Sequence, residues 1–161
     1  MENKTPKHKI PVRPSILDRL IDDRADIYGY PINLLIESLR RDLENLLNTP
    51  KSPVVFGPEF VELHSSILDF GIPDVASATG NDSLIWEKMI SKIEFAIRSF
   101  EPRLKEVEVT MKDNRKSGIP KVEFEIRGQL VFDPSPELLF QSTIELSSGR
   151  TLVNFPTLEE S

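Results

Sequence analysis

The sequence predicts an α+β domain, with N-terminal helices packed on a small C-terminal antiparallel sheet. Three observations carry this. Up to Phe100 the apolar residues recur at helical spacing, as in Ile85, Met89, Ile93, Ala96 and Ile97. After Arg103 the period falls to two: Val107, Val109 and Met111 alternate with Glu106, Glu108 and Thr110. The 161 residues are 39% apolar and 29% charged, enough chain and enough apolar side chains for one domain with its own core. Helical patterns followed by strand patterns, with no internal repeat, favour α+β over α/β. Residues 1–14 read as a flexible basic tail, 15–155 as a single folded domain and 156–161 as an acidic C-terminal end.

The first helical pattern opens at Ser15, whose spacing to Asp18 is that of a capping box, and continues through Leu17, Leu20 and Ile21. Asp18, Asp22 and Asp26 share its opposite side. They read as a solvated stripe balanced by Arg19 and Arg24, since a calcium site needs a loop that wraps ligands round the ion. YGYP at 28–31 breaks the chain. Asn33 then caps a second helix, with Leu35 or Ile36, Leu39, Leu43, Leu46 and Leu47 on one face and the pairs Glu37–Arg41 and Arg40–Glu44 on the other. NTPKSPVVFGP, 48–58, must be a loop. A shorter helix is expected over 59–69, stopped by Gly71 in a left-handed conformation and by Pro73. The fourth helix, after the polar SATGNDS loop, ends at Phe100, and Trp86 and Phe95 on it are expected to be packing residues.

The strands follow. DNRKSGIP, 113–120, is a hairpin loop, and Val122, Phe124, Ile126, Leu130 and Phe132 alternate with polar residues, with Gly128 in step at a position that would accommodate a bulge. DPSP at 133–136 turns the chain into a third strand carrying Leu138, Phe140, Ile144 and Leu146, and residues 149–158 add a short fourth.

Charge and composition exclude several functions. Net charge is −6, but Lys4, Lys7, Lys9 and Arg13 against Glu2 give the tail +3, leaving −9 on the body. An acidic body does not suit nucleic acid, which needs a basic surface to displace phosphate counterions. With no cysteine there is no disulfide or thiolate chemistry. No apolar run approaches the ~20 residues of a membrane span, and the basic N-terminus lacks the apolar segment of a signal peptide. A cytoplasmic protein is expected.

No catalytic constellation emerges. His8 and His64 are the only histidines and stand in no ligand spacing, the glycines build no phosphate loop, and no serine sits in a nucleophile elbow. No metal or cofactor is expected. The acids are too many to exclude a glycosidase pair by counting, but sequence shows neither the separation nor the raised pKa such a pair needs.

Glu101-Pro102-Arg103 stands out. Proline disfavours helix at the residue before it, so the helix ends there. A carboxylate at a helix C-terminus opposes the dipole and needs a cation. Arg103 supplies one within the chain, or a partner does; both readings stand. Reversing both charges is expected to leave the fold intact.

SILDRL (15–20), ESLRRDLENLLNTP (37–50), SILDFGIPD (66–74) and IEFAIRSFEPRL (93–104) before VEVT resemble, in order, the blocks of the TssE family. These are baseplate subunits of bacterial type VI secretion systems, similar to a small wedge protein of contractile phage tails often labelled lysozyme-like. The resemblance covers roughly residues 12–146. It implies a fold like the strand-exchange domain of the sheath subunit, and a structural role joining the baseplate wedge to the contractile sheath and providing its first docking point. It implies other wedge subunits and sheath subunits as partners, the latter by β-strand addition, with no membrane insertion, in a membrane-docked assembly. Glu101, Pro102 and Arg103 become partner-binding candidates. Leu17, Asp18 and Leu20 on the first helix are a second contact, unless that helix packs on its own domain. The third strand and the tail after Gly149 are the expected strand donors or acceptors, because a small meander leaves edge groups unpaired. The alternatives are a peptidoglycan-cleaving muramidase, suggested only by the family label, and a generic assembly adaptor or chaperone.

Overall fold

A computed structural model of the protein describes residue 20 and residues 32–57, 59–74, 83–112, 121–131 and 137–159. The elements are α1 (Ile32–Asn48), the 3₁₀ turns η1 (Val61–Ser65) and η2 (Ile67–Asp69), α2 (Ser83–Phe100), and strands β1 (Leu104–Lys112), β2 (Lys121–Leu130), β3 (Glu137–Glu145), β4 (Arg150–Val153) and β5 (Thr157–Glu159). Of the expected first helix only Leu20 is described; the DNRKSGIP loop and the DPSP turn lie outside the described residues.

The helices pack on an antiparallel sheet, as expected. Leu35, Leu39, Leu43, Leu46 and Leu47 of α1 and Trp86, Met89, Ile93, Ala96 and Ile97 of α2 join one core with Val107, Phe124, Ile126, Phe140 and Ile144 of the strands. Each large aliphatic side chain fully withdrawn from water contributes about 1.5–3 kcal/mol. Phe95 departs from its expected packing role: it is 55% exposed, because it lies off the stripe that Met89, Ile93, Ala96 and Ile97 turn to the sheet.

Residues 59–69 form two 3₁₀ turns in place of the expected helix. Ser66, between them, is extended (φ −90°, ψ 166°), and its hydroxyl accepts from Leu68 N and bonds Leu63 O. Short hydroxyl side chains offer the backbone such alternatives to the helical ladder. No residue of η1 is buried, so no apolar face rewards a longer helix.

The strands run in the order β1-β2-β3-β4, with β5 also paired to β3. The alternation read for β2 and β3 holds within the strands, with Leu146 past the end of β3 and Phe132 outside the described residues, and the irregularity lies opposite Gly128. Lys105 pairs with Gln129 and Glu108 with Arg127, so Glu106 and Val107 together oppose Gly128. The extra residue lies in β1, where Glu106 has φ +53°, and Gly128 is the residue it faces. The bulge lets Leu104 and Val107, three residues apart, both face the core at 6% and 1% exposure. A Cβ on Gly128 would make ordinary contact, 3.4 Å from Leu104 Cδ2. Gly128→Ala is therefore expected to stay within about 1 kcal/mol of wild type in urea unfolding.

β3 is an interior strand. β2 pairs along one side; β4 (Ser142–Glu145) and β5 (Glu137–Leu139) share the other. The expectation that β3 donates or accepts a partner strand is thereby corrected: its main chain is already paired on both sides.

The outer strands are closed in a different way. On β1, Arg98 donates from Nε (3.1 Å) and Nη2 (2.6 Å) to Val107 O, and Glu94 Oε2 accepts from Val109 N (3.1 Å). On β4, Asn48 Nδ2 donates to Thr151 O (2.8 Å), Asn48 Oδ1 accepts from Thr151 N (2.9 Å), and Arg40 Nη1 donates to Val153 O (3.2 Å). Helix side chains thus make the bonds a neighbouring strand would make. Asn48→Ala is expected to cost about 1–2 kcal/mol and to speed hydrogen exchange at the Thr151 amide, read by native-state exchange.

Candidate functional site: the junction of α1, α2 and β1

The sequence makes this junction in four residues. Glu101 N closes the last helical bond to Ile97 O (2.8 Å), Pro102 forbids another turn, and Leu104 N returns to Glu101 O (3.1 Å), starting β1 within the same turn. Glu101 is 4% exposed, so its carboxylate must find donors inside the protein.

Arg103 provides them. Its Nε donates to Glu101 Oε1 (2.6 Å), its Nη2 to Glu101 Oε2, and its main-chain N to Glu101 Oε1 (3.1 Å). The same Nη2 reaches Asp42 Oδ2 (2.7 Å), and Nη1 donates to Ser38 Oγ (3.1 Å), both on α1. Arg41 meets Asp42 Oδ1 from the other side at 3.4 Å. Two carboxylates and two guanidiniums therefore balance, with Ser38 between them. Burial works to lower the Arg103 pKa, but the hydrogen bonds and charges of Glu101, then of Asp42, outweigh it and hold it above the ordinary arginine value. The planar fork suits this: one side grips Glu101 in two places and the other reaches across to α1.

Of the alternatives left open by sequence, the structure forms the internal pair. Pro102 is exposed at the corner, and Leu20 is 79% exposed. Leu17 and Asp18 lie outside the described residues. Sequence reasoning missed Ser38 and Asp42. Their signal was faint: a serine and an aspartate four apart, beside the leucines that form the buried stripe of α1. Arg40–Glu44 forms as expected at 2.6 Å.

Ser38 Oγ lies 3.5 Å from Asp42 Oδ2, and Arg103 and Arg41 donate to both groups, so the carboxylate is engaged as an ion-pair partner. Among the described residues no three His, Asp or Glu side chains come together to hold a metal ion. The junction fixes the angles between two helices and a strand and presents a half-exposed charged rim: Arg41 is 36% exposed, Asp42 29% and Arg103 19%.

No curated protein matches the sequence. Residues 34–135 match the family model described as baseplate wedge protein gp25, a span that takes in all but the first two residues of α1, both 3₁₀ turns, α2, β1 and β2, and with them the whole junction. The chain belongs to the baseplate wedge protein gp25 (TssE) family.

Proposed function

We propose that this protein is the wedge component of a type VI secretion baseplate that joins the wedge to the contractile sheath and gives the sheath its first docking point. The observation that carries the reading is the family match over 34–135, which contains the complete Glu101–Arg103 junction. Helices on one small antiparallel sheet also suit a likeness to the sheath's strand-exchange domain. In this reading Glu101 and Arg103 act on partners by shaping the corner. Pro102, Arg41 and Asp42 form the rim that a wedge subunit touches, and the segment carrying Leu17, Asp18 and Leu20 makes a second contact. A sheath strand adds at β1 or along β4 and β5, the outer strands. The assembly sits in the cytoplasm against the membrane; no helix among the described residues is long and apolar enough to cross one.

The test is a gentle pull-down of tagged protein from its host's cytosol, with bound chains identified by mass spectrometry. Wild type is expected to bring down wedge and sheath subunits. Leu20→Asp, at a position 79% exposed, is expected to leave the fold intact and lose wedge subunits by about tenfold. Recovery of neither class with wild type, from cells that fire the system, overturns the reading.

A further inference from the structure

A groove of about 620 Å³ opens between the 51–56 segment, the 3₁₀ turns and the second half of α2. Its walls are apolar and unusually exposed: Val55 at 91%, Val54 at 56% and Phe95 at 55%, with Phe56 and Phe100 deeper in. Apolar side chains gathered round a concavity with polar groups at its edge mark a contact site more often than chance.

One polar group in the lining is incomplete. Asp69 is 4% exposed, and Oδ1 takes an ion pair from Lys51 Nζ at 2.7 Å. Oδ2 is buried with no hydrogen-bond partner. The nearest cationic candidate is His64 Nδ1 at 3.6 Å, too far for a hydrogen bond, on a side chain 37% exposed. A buried acceptor left unmade is costly, and an incoming donor recovers that cost. The donor is best neutral, because the charges of the lining already balance, Lys51 and Lys92 against Asp69 and Asp74.

An occupant with large apolar faces, one donor and no acceptor is an indole. We propose that this groove seats a tryptophan side chain of a partner protein, its ring against Phe95 and Val55 and its N–H donated to Asp69 Oδ2 as the His64 ring swings aside. Tryptophan is also the residue most suited to anchoring an interface in a dry pocket. The proposal is independent of the wedge reading, since it is tested on the isolated protein and its failure leaves that reading standing.

The experiment is an amide ¹H–¹⁵N titration of the intact protein with N-acetyl-tryptophanamide and with its indole N-methylated analogue, which keeps the ring and loses the donor. Saturable shifts are expected at Val54, Val55, Phe56, Asp69 and Phe95 with the first, and binding weaker by about fivefold or more with the second. Val55→Asp, at a position 91% exposed, should abolish the shifts while leaving the rest of the spectrum in place. No saturable shift, equal affinity for the two probes, or binding unaffected by Val55→Asp overturns the proposal.

Discussion

Arg103→Ala is expected to destabilise the protein by about 3–5 kcal/mol, seen as a lower urea midpoint with an unchanged slope. Glu101, 4% exposed, would keep its charge and lose the guanidinium that grips both its oxygens. Asp42 and Ser38 would lose the same side chain, and with it their tie between α1 and the start of β1. Arg103→Lys is expected to recover only part of the loss, because an ammonium cannot reach Glu101, Asp42 and Ser38 from one plane. Reversing both charges is now expected to cost stability, where the sequence alone suggested that the fold would be spared. A carboxylate at 103 would face Asp42, which Arg103 now holds at 2.7 Å, and two like charges at that distance disfavour the folded state. Assembly defects in such variants are therefore to be compared with their unfolding midpoints, while Leu20→Asp reports on contact alone.

Gly71→Ala should be nearly as damaging, at about 3 kcal/mol or more. Gly71 has φ +110°, where side chains are disfavoured, and an added Cβ would stand 2.4 Å from Thr49 O. That oxygen cannot easily yield. It accepts from Ile72 N at 3.0 Å, and Ile72 O accepts from Lys51 N at 2.8 Å, together making the Pro50–Ile72 parallel bridge. The expected readout is a large loss in thermal or urea stability, set against the near-neutral Gly128→Ala. Sequence foresaw the left-handed conformation of Gly71 from its place after an apolar run. It gave no hint of the bridge that makes the position crowded.

That contrast is general here. Periodicity is local, so α1, α2 and the alternation of β2 and β3 were legible from side chains a few residues apart. The turn at Glu101-Pro102-Arg103 was legible for the same reason. What depended on distant segments was not. Ser38 and Asp42 acquire their meaning from a residue about sixty positions away. The bulge belongs to β1 because Leu104 and Val107 must face one core, and only the register against β2 reveals it. Phe95 reads as core by composition and is placed in a groove by segments from another part of the chain. The split of the last strand into β4 and β5 reflects pairing with β3, which no pattern within 149–158 records.

The helix side chains lying along β1 and β4 bear on the timing of assembly. Glu94, Arg98, Asn48 and Arg40 are tethered competitors for the same main-chain groups that an arriving strand would use. Tethering gives them effective concentrations of the millimolar order, far above that of a stray peptide in solution. A strand diffusing alone loses that competition. One held in place by a neighbouring subunit meets them on equal terms. If sheath strands dock here as proposed, docking would begin only where other contacts have already positioned the incoming strand.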